Sequence, residues 1–150
     1  MEVIMKRELL RQIEVHLEGA YPNEGAGFLL GQIADDTFIV GDVLPLANQW
    51  DSAGQHNRFQ LLPEDALQAE LAAQRRGLDV IGVFHSHPDH PAQPSQWDLA
   101  WATWPNFAYL ITRVAEGRAQ QTRAWRLAED RESFEEDQIN LYPVATHGGA

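Results

Sequence analysis

The chain has 150 residues, 44% of them hydrophobic, and no cysteine. That is enough to bury one core without covalent staples, and it excludes a disulfide framework and any cysteine nucleophile. The formal net charge is −11 with a single lysine, Lys6, so the basic clusters that grip a phosphate backbone are missing.

The densest cation pair, Arg75-Arg76, falls at the end of an expected helix, where the helix dipole favours cations anyway. The acidity suits a partner with a basic face, or serves solubility. No apolar run is long enough to span a bilayer, and residues 1–7 lack the apolar core of a signal peptide. The expectations are therefore no nucleic acid, no membrane and a cytoplasmic protein.

Residues 6–18 set Leu9, Leu10, Ile13 and Leu17 at helical spacing and predict an amphipathic helix. Residues 27–33 and 37–45 read as two strands around a hairpin turn at Asp35-Asp36. Residues 46–58 are polar and irregular, a loop. Residues 64–76 predict a second helix, closed by Gly77.

Residues 78–85 are mostly apolar and β-branched, the pattern of a buried strand. Pro88, Pro91 and Pro94 then force a loop, and a third helix is expected over 95–103, with Ser95 near its N-cap and Pro105 marking its end. Residues 107–114 and 120–127 read as a hairpin joined near Glu116-Gly117. From Glu129 the chain is acidic, with a last strand near 139–142. Neither repeats nor low-complexity linkers interrupt this order, so one domain, 1–142, with a tail of 143–150, is sufficient. The fold class is α/β: a curved, mixed, mainly antiparallel sheet with helices packed on it.

The chemistry concentrates in His85-Ser86-His87-Pro88, followed by Ser95 and Asp98. Two histidines two residues apart on an extended segment point to the same side of the backbone, so both imidazoles reach one metal ion. Asp98, one helical turn beyond Ser95, faces the same cavity as that serine and supplies a third, harder ligand. Two His and one carboxylate leave a tetrahedral zinc with an open position, the arrangement of a catalytic rather than a structural site.

A lone His-x-His pair occurs by accident on surface loops, and His90, among prolines, is read as solvated. The strand–loop–helix context separates His85, His87 and Asp98 from that case. Hydrolysis also needs a general base and an oxyanion donor. Glu24 is the candidate base, at a strand entrance where Gly25 and Gly27 let other backbone approach. Local sequence alone leaves open whether Glu24 is that base or a solvated turn acid.

Glu24 with Gly27-Phe28-Leu29-Leu30-Gly31, then His85-Ser86-His87-Pro88, then Pro94-Ser95-x-x-Asp98, resembles the JAMM motif of the MPN+ metalloprotease family, and most of all its short bacterial members. The likeness extends through Arg58-Phe59 and Pro63-Glu64 to Trp125-Arg126-Leu127, nearly the whole chain. Ala26 stands where many family members carry Cys, at a position that is not a ligand. The resemblance implies a single-domain MPN fold of the JAB/cytidine-deaminase-like kind, with one zinc ion per chain on His85, His87 and Asp98. It implies Glu24 as general base to the attacking water and then general acid to the leaving amine, and Ser95 as hydrogen-bond donor to the oxyanion.

The resemblance also implies the substrate class: an amide bond after the Gly-Gly tail of a ubiquitin-like or sulfur-carrier protein. Only residues without side chains thread a narrow groove beside the metal, and the loop 47–57 could pair with the tail by strand addition. The few residues from Trp104 to Phe107 leave no room for the second insertion of larger relatives, which argues for a small carrier or a single conjugate. A homodimer is consistent with the family, though no surface declares an interface. Two other readings stay open: a non-catalytic MPN scaffold subunit, and a zinc amidohydrolase of an unrelated peptide. Two features are read structurally. Trp97, Trp101 and Trp104 form a core stripe of the third helix rather than a binding platform, and His147-Gly148-Gly149-Ala150 is a frayed end.

Overall fold

A computed structural model of the chain describes residues 1–47, 62–95 and 106–143. The first strand, β1 (Glu2–Lys6), alternates outward and inward, burying Val3 and Met5 completely. It runs without a turn into α1 (Arg7–Ala20), whose Leu9, Ile13 and Leu17 form the buried stripe that their spacing predicts. β2 (Ala26–Ala34) and β3 (Thr37–Pro45) pair antiparallel around a turn that holds Asp35 at φ 54°.

α2 (Pro63–Arg75) starts on a proline, whose missing N–H costs nothing in a first turn, and the Asp65 carboxylate accepts the Leu62 N–H at 2.9 Å. Gly77, at φ 67°, ends it as expected. Four strands follow: β4 (Asp79–Pro88), β5 (Ala108–Ala115), β6 (Arg118–Leu127) and β7 (Phe134–Tyr142).

The strands lie in the order β1-β3-β2-β4-β5-β6-β7, and β1 also pairs with β7, so the sheet closes into a barrel. The pairs β2–β3, β2–β4, β5–β6 and β6–β7 are antiparallel, while β1–β3, β1–β7 and β4–β5 are parallel. The mixed, mainly antiparallel sheet packed with helices is thus as expected. Closure comes from β1, a strand the periodicity does not announce, and from a β7 that begins five residues before the expected 139.

Side chains alternate across the sheet and build two cores. Val3, Met5, Phe84 and Leu110 pack with Leu9, Ile13 and Leu17 of α1. Phe28, Leu30, Val83 and Tyr109 pack on the other face with Ala69 and Ala73 of α2. Along β4, Val83 belongs to the α2 face, and so do the residues two and four further on, His85 and His87. Among the described residues no helix is long and apolar enough to cross a membrane. The expected third helix over 95–103, with its tryptophan stripe, and most of the loop 46–58 lie outside the described residues.

Candidate metal centre

β4 runs three residues beyond the expected end at His85, so both histidines sit inside the ladder rather than beyond it. His85 pairs with Ile111 and His87 with Arg113 on the parallel neighbour β5, which fixes the backbone under both rings. Both are buried, at 4% and 7% exposure. Their Nε2 atoms stand 3.3 Å apart.

Two nitrogens each about 2.0–2.1 Å from a tetrahedral zinc would be separated by about 3.3–3.4 Å, so the pair is spaced as two ligands of one ion. The ring orientation is held from behind. His87 Nδ1 lies 2.8 Å from the Pro91 carbonyl, which can only accept, so Nδ1 carries the proton and the Nε2 lone pair faces the site. The donor set present therefore fits zinc. Among the described residues no group of three or more His, Asp or Glu gathers around one point; the third expected ligand, Asp98, lies outside them.

Backbone register relates Glu24 to the histidines. Ala26 of β2 pairs with His85, and one residue earlier Gly25 makes two bonds to Ser86. The Gly25 N–H donates to Ser86 Oγ at 2.9 Å, and the Ser86 N–H donates to the Gly25 carbonyl at 3.0 Å. Continuing the register one step brings the half-buried Glu24 level with His87. The glycines flanking this entrance are required by contact. A Cβ on Gly25 would lie 2.9 Å from Ala20 Cβ, and one on Gly27 would lie 2.2 Å from the Phe84 ring and 2.6 Å from the Leu44 carbonyl oxygen.

The loop leaving β4 is fastened at several points. The Asp89 N–H donates to the Val114 carbonyl at 2.8 Å, and Trp125 Nε1–H donates to the Ala92 carbonyl at 3.0 Å. Tyr21 Oη donates to Asp89 Oδ2 at 2.7 Å, while the Glu116 N–H donates to Asp89 Oδ1 at 3.0 Å. The hydrogen bond from Tyr21, then that from Glu116, hold the Asp89 carboxyl below the ordinary range; the same bond to Asp89 pushes the Tyr21 phenol up.

β4 thus brings His85 and His87 together, and the β2–β4 register sets the Glu24 backbone level with His87. Ser95 is exposed at the end of the loop, the last residue described before 96–105. His90 is exposed, in keeping with its reading as a solvated loop histidine. Ser86, Tyr21 and Asp89 are residues to which the sequence pattern assigns no role. For Ser86 the signal was its place inside the His-Ser-His motif, where alternation turns it away from the metal side. Tyr21 and Asp89 carry no local signal, since their contact joins segments 68 residues apart.

Residues 6–128 match the model of a family described as prokaryotic homologs of the JAB domain. A desampylase of Haloferax volcanii is 33% identical over 93 residues, covering 62% of this chain and 64% of that protein. A probable TtuB-protein conjugate cleaving protease of Thermus thermophilus is 35% identical over 98 residues, covering 65% and 62%. The chain spans a little under two thirds of the length of these curated relatives. A solution structure of a protein from Desulfitobacterium hafniense superposes with a TM-score of 0.80 at 27% identity, covering 99% of this chain and 98% of that one.

Proposed function

From the premise that this chain belongs to the family of prokaryotic homologues of the JAB domain, we propose that it is a zinc-dependent peptidase or isopeptidase. Its substrate is the amide bond after the C-terminal Gly-Gly of a ubiquitin-like or sulfur-carrier protein. The observation that carries this reading is the 3.3 Å convergence of the His85 and His87 Nε2 atoms beside the strand entrance of Glu24. The relatives' names, which speak of desampylation and of cleaving protein conjugates, support the substrate class.

His85, His87 and Asp98 hold the metal in this reading. When bound, zinc supplies Lewis acidity at the scissile carbonyl and lowers the pKa of its water. Glu24 takes a proton from the attacking water and returns it to the leaving amine. Ser95 donates a hydrogen bond to the oxyanion that develops on the carbonyl. Buried histidine rings keep bulk water from competing for the ligand lone pairs. The products are a carrier ending in a glycine carboxylate and a free amine. The lack of cysteine accords with a reducing, cytoplasmic setting.

The test is intact-mass analysis after the zinc-loaded protein meets a carrier domain extended past its Gly-Gly tail. A product ending at the second glycine, lost with chelator, is expected. Zinc bound with no product from any such carrier would refute the substrate class.

A further inference from the structure

The loop that carries Glu24 is tied to the histidine strand on both sides: Gly25 bonds Ser86, the residue before His87, and Tyr21 bonds Asp89, two residues after it. The inner tie is the buried pair of hydrogen bonds between Gly25 and Ser86. The outer tie is the 2.7 Å bond from the Tyr21 hydroxyl to Asp89 Oδ2. Tyr21 lies three residues before Glu24 and Asp89 two residues after His87.

Resting on the hydrolase reading above, we propose that Tyr21 and Asp89 are positioning residues that hold the loop of Glu24 in register with the metal ligands. Asp89 is built as a fixed anchor. Its backbone is in the left-handed region at φ 58°, a conformation that Asp and Asn tolerate better than most residues. Its N–H closes the β4–β5 ladder on Val114, and its second carboxylate oxygen accepts the Glu116 N–H, itself in a turn residue at φ 52°. Three chain segments, the α1–β2 loop, the loop after β4 and the β5–β6 turn, therefore meet on one carboxylate.

The bond that Tyr21 adds is exposed at Asp89, so its contribution to overall stability is small, whereas its leverage on Glu24 is direct. A base misplaced by about an ångström loses on the order of a hundredfold in rate. Removing only the Tyr21 hydroxyl frees one end of the Glu24 loop, so the Gly25–Ser86 bonds open more often while the histidines stay in place.

The experiment compares wild type, Tyr21→Phe and Asp89→Asn, each also in a Glu24→Gln background, as full-length zinc-loaded protein. Three quantities are read: zinc affinity by competition with a chromophoric chelator, kcat and KM on the extended carrier, and amide exchange at Gly25. Expected for Tyr21→Phe are zinc affinity within about threefold of wild type, KM nearly unchanged, kcat lower by about tenfold, and faster Gly25 exchange. In the Glu24→Gln background the substitution should cost nothing further, because the group it positions is gone. Asp89→Asn, which keeps the left-handed backbone and one accepting oxygen, should fall between.

Wild-type kcat in Tyr21→Phe, or an equal loss with and without Glu24, would overturn the proposal. A wild-type protein that binds zinc and cleaves nothing would sink the hydrolase reading alone. The coupling would then be decided by the exchange comparison: faster Gly25 exchange supports it and an unchanged rate refutes it.

Discussion

Replacing Ser86 by Ala removes one atom that matters, the Oγ that accepts the Gly25 N–H at 2.9 Å. Ser86 is fully buried and Gly25 is buried, so water does not replace the lost acceptor. A buried donor left unsatisfied costs about 1–3 kcal/mol. The second bond of the pair, Ser86 N–H to the Gly25 carbonyl, survives because it uses backbone. At about 2–4 °C per kcal/mol for a chain of this size, a loss of about 2 kcal/mol lowers Tm by about 4–8 °C.

Against a typical domain stability of about 5–15 kcal/mol the variant stays folded at 25 °C, so its rate there reports the site rather than the population unfolded. Urea unfolding should show a lower midpoint with an unchanged slope. Amide exchange at Gly25 should accelerate, and hydrolysis should fall at unchanged zinc affinity. A midpoint equal to wild type, with Gly25 exchange unchanged, would refute the view that this bond locks the Glu24 entrance to the histidine strand.

Glu24→Ala should keep zinc and lose about 10²–10⁴-fold in cleavage, read by intact mass and metal content; an active variant removes the general-base role. Asp98→Ala and His87→Ala should each weaken zinc binding sharply, read by chelator competition, and should lose the rise in Tm that zinc gives wild type. Gly27→Ala should destabilise by about 1–3 kcal/mol or more in urea, because the new Cβ meets the fully buried Phe84 ring on one side and the Leu44 carbonyl on the other.

The Arg123 guanidinium, hydrogen-bonded to Glu136 through two nitrogens, holds the Glu136 carboxyl below its ordinary value of 4.5. A depressed folded-state pKa adds stability that is full above the unfolded value and is lost as pH falls through the folded one. Glu136→Gln should therefore flatten the acid limb of a stability–pH curve below about pH 4.5, by no more than about 1 kcal/mol for so exposed a pair.

What could be read in advance follows from the range of the forces involved. α1, α2 and the strands β2 to β6 are each announced within a window of a dozen residues, by stripes such as Leu9-Ile13-Leu17 or by the run ending at Phe84. The histidine pair was legible for the same reason: alternation along one strand is local, and it alone sends both rings to one side. β1 was not legible. Five residues fused to a helix carry no turn signal, and their partners, β3 and β7, lie over 30 and over 130 residues away. The first half of β7 was hidden by its charge. The run Ser133-Phe134-Glu135-Glu136-Asp137 reads as an acidic tail until Arg123 and Arg126 on β6 are seen opposite it, taking up Glu136, Glu135 and Asp137.

The same distinction explains the site. Residue type and spacing name the groups that do chemistry, because a metal and a proton transfer demand particular side chains. They are silent about what holds those groups in register, because hydrogen bonds from a serine, a tyrosine or an aspartate recruit whatever the closed sheet brings near. Antiparallel pairing of β2 with β4 is what brings the α1–β2 loop, carrying Tyr21 and Glu24, against the end of β4. The alignment of Glu24 with the histidine pair is therefore a property of the β2–β4 ladder. Its loss through Ser86 or Asp89, with Glu24, His85, His87, Ser95 and Asp98 intact, is the sharpest way to separate having the right groups from having them in the right place.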